Sequence, residues 1–206
     1  MKYFITGIGT DVGKSWATGW LAHRYMDDGK SVITQKFIQT GNVGYSEDIE
    51  VHRKIMGIGK APEDLEMLTA PEIFSYPCSP DLASNIDKRA IDFDKIRKAT
   101  EQLESIYDIV LIEGAGGIMV PLKGEYLTID YIRDHHLPTI VVTNGQLGSI
   151  NHTLLTLFAI EKYGIKLAEV IYNHHFDKDP IICEDTIAFL RGYLMKHFPS
   201  SRLTEF

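Results

Sequence analysis

A β-branched and aromatic run, Lys2-Tyr-Phe-Ile-Thr6, passes directly into Gly7-Ile-Gly-Thr-Asp-Val-Gly-Lys-Ser15, where a helical pattern begins. A strand, a tight loop and a helix N-terminus in that order make a phosphate cradle. Successive backbone N–H groups turn inward, the helix dipole favours negative charge, and Lys14 adds a full positive charge. Ser15 offers a hydroxyl to a magnesium ion bridging phosphates. Five residues separate Gly7 from Gly13, one more than in the usual G-x-x-x-x-G-K-[ST] loop. The plainer alternative is a turn that merely contains Gly-Lys-Ser, and the placement between strand and helix favours the nucleotide.

Length bounds the chain to one α/β domain over residues 1–206, large enough to bury a core unaided. A net charge of −7 without any Lys/Arg run argues against nucleic acid as a partner. No apolar run is long enough to span a bilayer or to act as a leader, so a cytoplasmic protein is expected. Cys78 and Cys183 then read as reduced thiols, and the Asn151-His-Thr153 sequon has no bearing.

Strand-like and helix-like segments alternate, the pattern of a three-layer sandwich with a mostly parallel sheet between helices. Strands are expected at 2–6, 31–37, 108–112, 138–142 and 166–172. Helices are expected at 14–28, 47–56, 92–105, 149–163 and 181–197. Trp16, Trp20, Leu21 and Met26 would form the apolar side of the first helix; Phe93, Ile96, Leu103 and Ile106 that of the third. Residues 57–80, with four prolines, read as loop, and Glu113-Gly-Ala-Gly-Gly117 as a second glycine-rich turn. In such sheets ligands sit beyond the carboxyl ends of the strands. Gly7–Ser15, Lys36–Gly41, Glu113–Gly117, Thr143–Gly148 and Asn173 are therefore expected to share one crevice.

Phosphoryl transfer asks a protein for positioning and charge neutralisation more than for covalent chemistry. Lys14 suits the β- and γ-phosphates. Lys36, at a strand end, either reaches the transferred group from another side or snorkels into solvent. Ser15, Asp48 and Glu113 make a plausible magnesium set of hard oxygens. Asp48 has a competing role as a helix N-terminal charge. Glu113 is poorly placed for packing, directly after a buried apolar strand.

These segments resemble the dethiobiotin synthetase family of the deviant P-loop ATPases. The loop at 7–15, Lys36-Phe-Ile-Gln-Thr40-Gly41, Glu47-Asp48, Glu113-Gly-Ala-Gly-Gly117, Leu147-Gly-Ser-Ile-Asn-His152 and the strand-end Asn173 carry the likeness. The resemblance implies a P-loop fold and a ligase joining ATP, CO2 and 7,8-diaminononanoate through a carbamate and a carbamic–phosphoric anhydride. It implies Lys36 and Lys14 as catalytic residues, and Mg2+ held by Ser15, Asp48 and Glu113. On the nucleotide side it implies Thr10, Asp11, Val12, Gly13, Lys14, Ser15, Trp16, Asp48, Glu113, Gly114, Ala115, Gly116 and Asn173. On the substrate side it implies Thr40, Gly117, Gly148, Ser149, Ile150 and Asn151. A homodimer is implied too, with the far carboxylate of the substrate at the partner's helix start near Gly148–Asn151.

Departures from the family pattern set further expectations. Ile8-Gly9 replaces Thr-Asp in the loop. Phe37 replaces a proline, freeing the backbone beside Lys36. Asp81 stands where the family often has histidine and would change how a diamine is held. About thirty residues follow Asn173 without the loop that closes over adenine, so base recognition is expected to be looser. His135-His136 and His174-His175 point to opposite sides of extended chain and read as loop and strand-end residues. A ParA/MinD-like ATPase switch and a drifted nucleotide-binding homologue are the alternatives.

Overall fold

The computed structural model describes residues 1–206. Strands β1 (Lys2–Gly7), β2 (Val32–Lys36), β3 (Gln39–Thr40), β4 (Ile73–Phe74), β5 (Ile109–Gly117), β6 (Pro121–Lys123), β7 (Tyr126–Leu127), β8 (Thr139–Asn144), β9 (Leu167–Asn173) and β10 (Arg202–Glu205) alternate with eight α-helices. The helices are α1 (Lys14–Asp27), α2 (Glu47–Met56), α3 (Pro62–Leu65), α4 (Pro80–Ile86), α5 (Phe93–Ile106), α6 (Thr128–Asp134), α7 (Ser149–Lys162) and α8 (Pro180–His197). Six strands form one sheet in the order β10-β9-β8-β1-β5-β2. Every pairing within it is parallel.

Alternation along the central strands builds both cores. Phe4 packs to one side with Ile96, Leu103, Ile129 and Leu157 from α5, α6 and α7. Ile5, the next residue, packs to the other side with Ala17 and Leu21 from α1 and Met56 from α2. A strand buried on both faces needs this uninterrupted apolar character. β1 lies in the middle, so the loop that follows it emerges at the centre of the sheet's carboxyl edge.

Several expectations need correction. Glu113–Gly117 is not a turn: β5 continues through it, and Gly117 pairs with Gly7. The glycine is required at 114 because a Cβ there would stand 2.7 Å from the Phe4 ring. Residues 57–80 hold one helical turn, α3, and β4, which pairs with β3. Trp16 and Ile106 are exposed, whereas Trp20 packs as expected and stacks on Phe206. A sixth sheet strand, β10, lies beyond the last expected one. Its four residues carry no alternation signal of their own, and Glu169 on β9 anchors them through Arg202 and Thr204.

Candidate active site

Local sequence fixes the phosphate loop first. Gly13 caps α1 with φ of 92°, a left-handed conformation that glycine adopts without steric cost. A Cβ at Gly13 would also collide with the Asn173 amide nitrogen. Asn173 Nδ2 donates to Val12 O at 3.1 Å, and Asn173 Oδ1 accepts from the His175 N–H at 3.0 Å. The strand-end asparagine therefore pins the loop. Val12 itself turns its side chain into the core and presents only backbone.

Lys14 is nearly buried and donates to Gly9 O at 2.8 Å. Burial, assisted by the positive charge of Lys36, lowers its pKa to about 8. An anion entering the loop reverses both effects, since it restores a partner for the charged form.

Three elements then converge on one point. Ser46 caps α2: its hydroxyl accepts from Ile49 N and donates to Gln39 Oε1 at 2.6 Å, which fixes the first turn carrying Asp48. Ser15 Oγ lies 2.7 Å from Asp48 Oδ1 and 3.0 Å from Glu113 Oε1, with one proton to share. Lys36 is 5% exposed, so it does not snorkel. Its Nζ sits 2.6 Å from Asp48 and 2.9 Å from Glu113, and donates to Gly114 O at 3.2 Å. Burial alone would lower the Lys36 pKa, but the two carboxylates more than offset that and raise it. Burial alone would raise Glu113; Lys36 and then His52 overcome it and hold the carboxyl well below the usual range. Both charges are thus held in place.

Phe37 does not disturb this arrangement. The β2–β5 register sets Lys36 opposite Glu113, and the Phe37 N–H, which a proline would lack, donates to Glu113 O at 2.8 Å. The ring packs in the core against Phe4 and Tyr131, with centroids 5.4 and 4.6 Å away.

A crevice of about 1090 Å³ opens over these groups. Thr10, Asp11, Gly13, Lys14, Ser15, Trp16, Lys36, Thr40, Asp48, Glu113, Ala115, Gly116 and Asn173 line it. Trp16, His175, Phe176 and Phe206 add aromatic walls near Asn173, and Pro77, Cys78 and Ser79 border it beside Thr40. Gly114 and Gly117 support the wall without lining it. Gly148, Ser149, Ile150 and Asn151 stand outside this crevice at the start of α7. Asp81 is also absent from the lining: its Oδ1 accepts from Gly124 N at 3.1 Å. It braces the β6–β7 hairpin. His174 bridges Asp177 and Glu205, at 2.7 and 3.0 Å, and His135 stacks on Tyr131. Sequence reading missed His52, which contacts Glu113 at 2.6 Å. Its spacing of four residues from Asp48 on one helix was the available signal.

Ser15 on α1 brings its hydroxyl within hydrogen-bond distance of both Asp48 on α2 and Glu113 on β5, so three hard oxygens gather at one point. Mg2+ prefers one or two carboxylates plus waters and phosphate oxygens, so this set suits it.

Known proteins agree with the geometry. The family described as an AAA domain matches residues 1–197. An ATP-dependent dethiobiotin synthetase of Pasteurella multocida is 49% identical over 199 residues, covering 97% of this chain and 93% of that protein. Another from Chlorobaculum tepidum is 44% identical over 193 residues, covering 94% and 81%. In fold alone, a ParA family ATPase from Chlorobium tepidum matches with a TM-score of 0.56 at 13% identity, covering 100% of this chain and 85% of that one.

Proposed function

This chain belongs to the ATP-dependent dethiobiotin synthetase family, and from that premise we propose that it forms dethiobiotin from 7,8-diaminononanoate, CO2 and ATP. The observation that carries the reading is the meeting of Lys14, Lys36, Asp48 and Glu113 under one crevice at the carboxyl ends of β1, β2 and β5. One amine adds to CO2, giving a carbamate and releasing a proton. A carbamate oxygen attacks the γ-phosphorus, the bond to the bridging oxygen breaks, and ADP leaves. The second amine attacks the carbonyl carbon and gives up a proton, phosphate departs with the C–O electrons, and the ring closes.

The protein must hold two anions, carbamate and triphosphate, against their mutual repulsion. Lys14 supplies charge to the phosphates once it leaves Gly9 O. Lys36 with Asp48 and Glu113 sums to a net charge of −1, so this cluster alone does not attract phosphates and serves to fix geometry, the balance being left to the cation it would hold. Ser15, Asp48 and Glu113 would hold the magnesium ion, which supplies charge neutralisation to the phosphates when bound. Thr40 borders the region left for the diamine.

Two further features belong to the same proposal. The chain acts as a homodimer: Asn151, Leu155 and Phe158 stand exposed on one face of α7, at helical spacing, and the free N–H groups at its start suit a substrate carboxylate from the partner's crevice. Phe158→Glu should then shift sedimentation to monomer and raise KM for the diamine. Base selectivity is loose, because the Asn173 amide is already tied to Val12 and His175 while aromatic faces stack on any base. Comparable rates with ATP, GTP and CTP are expected. The decisive assay is phosphate release that needs both diaminononanoate and bicarbonate; release without the diamine would overturn the ligase reading.

A further inference from the structure

His52 is fully buried and does not line the crevice, yet it touches the carboxylate at the centre of the site. It sits one turn beyond Asp48 on α2, so a single helix face serves the site twice. Asp48 reaches Ser15 and Lys36 from the first turn. His52 Nε2 lies 2.6 Å from Glu113 Oε2, and His52 Nδ1 lies 3.0 Å from Thr34 Oγ1 on β2.

The two oxygens of Glu113 are therefore assigned different partners. Oε1 faces Ser15 Oγ and Lys36 Nζ; Oε2 is held from behind by the imidazole. An ionised carboxylate only accepts, so the proton of the ring sits on Nε2. Thr34 then donates to Nδ1 while accepting from Arg53 Nη1 at 2.7 Å. Arg53 is anchored in turn by Asp64, through Nε at 2.9 Å and Nη2 at 2.7 Å. The network runs from Asp64 through Arg53, Thr34 and His52 to Glu113, and it leaves none of these buried atoms unpaired. Such a network rigidifies only because it is fully satisfied.

Without a donor at Oε2, a buried charged oxygen would be unpaired. The side chain would then rotate to bring both oxygens toward Lys36 and Ser15. Ligating carboxylates are commonly oriented by outer hydrogen bonds of this kind. We propose that His52 is a positioning residue for the cation site: its Nε2–H fixes Glu113 so that Oε1 alone is presented to the ion. The inference rests on Glu113 being a magnesium ligand, as proposed above.

The test is calorimetric binding of the non-hydrolysable analogue AMPPNP, in EDTA and in Mg2+, with melting recorded in parallel. The readout is the factor by which Mg2+ tightens binding. Affinity in EDTA should stay within about threefold of wild type for all His52 variants, because His52 does not line the crevice and touches neither the 7–15 loop nor Lys14. His52→Leu and His52→Asn should lose about tenfold of the Mg2+ factor, the usual effect of removing an outer partner. His52→Gln, whose amide can reach the Nε2 position, should retain it. If His52→Leu fails to fold, the Gln and Asn pair decides. Equal Mg2+ factors for Gln and Asn, or an unchanged factor in Leu, would overturn the role. Glu113→Gln separates the two levels. If it keeps the full Mg2+ factor, the cation reading itself falls. If it loses the factor while the His52 variants keep theirs, only the positioning role falls.

Discussion

Replacing Lys36 by methionine keeps its length and removes its charge, which makes Lys36→Met the sharpest probe of this site. Nζ lies 2.6 Å from Asp48 and 2.9 Å from Glu113, with the Glu113 side chain 1% exposed. Removing one member of a buried ion pair costs about 3–5 kcal/mol, because the remaining charge is left without a partner. Asp48 is partly solvated, and His52 still binds Glu113, so the lower end, about 3 kcal/mol, is expected. For a domain of this size that is a fall in Tm of about 6–12 °C. The pH dependence has a definite sign. In the wild type Glu113 titrates below its unfolded value, so it adds stability above the unfolded pKa and loses it as pH falls. In the variant the Lys36 attraction that opposes burial is gone, so Glu113 titrates higher than in the wild type and contributes less stability at neutral pH. The gap between the two proteins should be widest near pH 7 and narrow toward pH 4–5, roughly the unfolded carboxyl range. Millimolar Mg2+ with AMPPNP should restore part of the lost Tm, since a cation again faces the carboxylates. Differential scanning calorimetry over this pH range is sufficient. A variant that melts within about 2 °C of wild type at pH 7 would refute the buried triad, since that loss corresponds to no more than about 1 kcal/mol.

Lys14, with its pKa lowered to about 8, should take up a proton when a triphosphate binds above that pH. AMPPNP affinity should fall as pH rises past 8, by up to about tenfold per unit. Binding enthalpies at pH 8.5 that do not vary with buffer ionisation enthalpy would contradict this. Asp48→Asn should raise the Mg2+ concentration for half-maximal turnover about tenfold or more, since even outer partners of a metal site cost that much. An unchanged Mg2+ titration would remove Asp48 from the cation set. Phe37→Pro should destabilise the protein by about 3–5 kcal/mol, because a core ring is lost, together with the N–H bond to Glu113 O. Chemical denaturation reads this directly, and a neutral result would mean that the Lys36–Glu113 strand register is held elsewhere.

The sequence by itself determined everything that depends on neighbours along the chain. Strand, glycine loop and helix at residues 2–15 follow from backbone chemistry, and α2, α5, α7 and α8 follow from apolar spacing and caps such as Ser46, Asp92 and Asp179. That Lys14, Ser15, Lys36 and Glu113 gather at one place was legible because strand ends in a parallel sheet must share one edge, whereas Asp48, on helix α2, was legible only from its carboxylate chemistry and the family resemblance. Tertiary structure decided what meets what. Whether Lys36 reaches solvent or Glu113 depends on a β2–β5 register formed across 77 residues. Asp81 turns to a hairpin amide that only folding brings near it. β10 forms because Glu169 and the β9 edge receive it, not because of its own four residues. His52 looks like any helical histidine until β5 delivers Glu113 to its ring. Local conformation is set by short-range sterics and periodicity, whereas the partner of a buried charge is set by chain crossings that no short window of sequence contains.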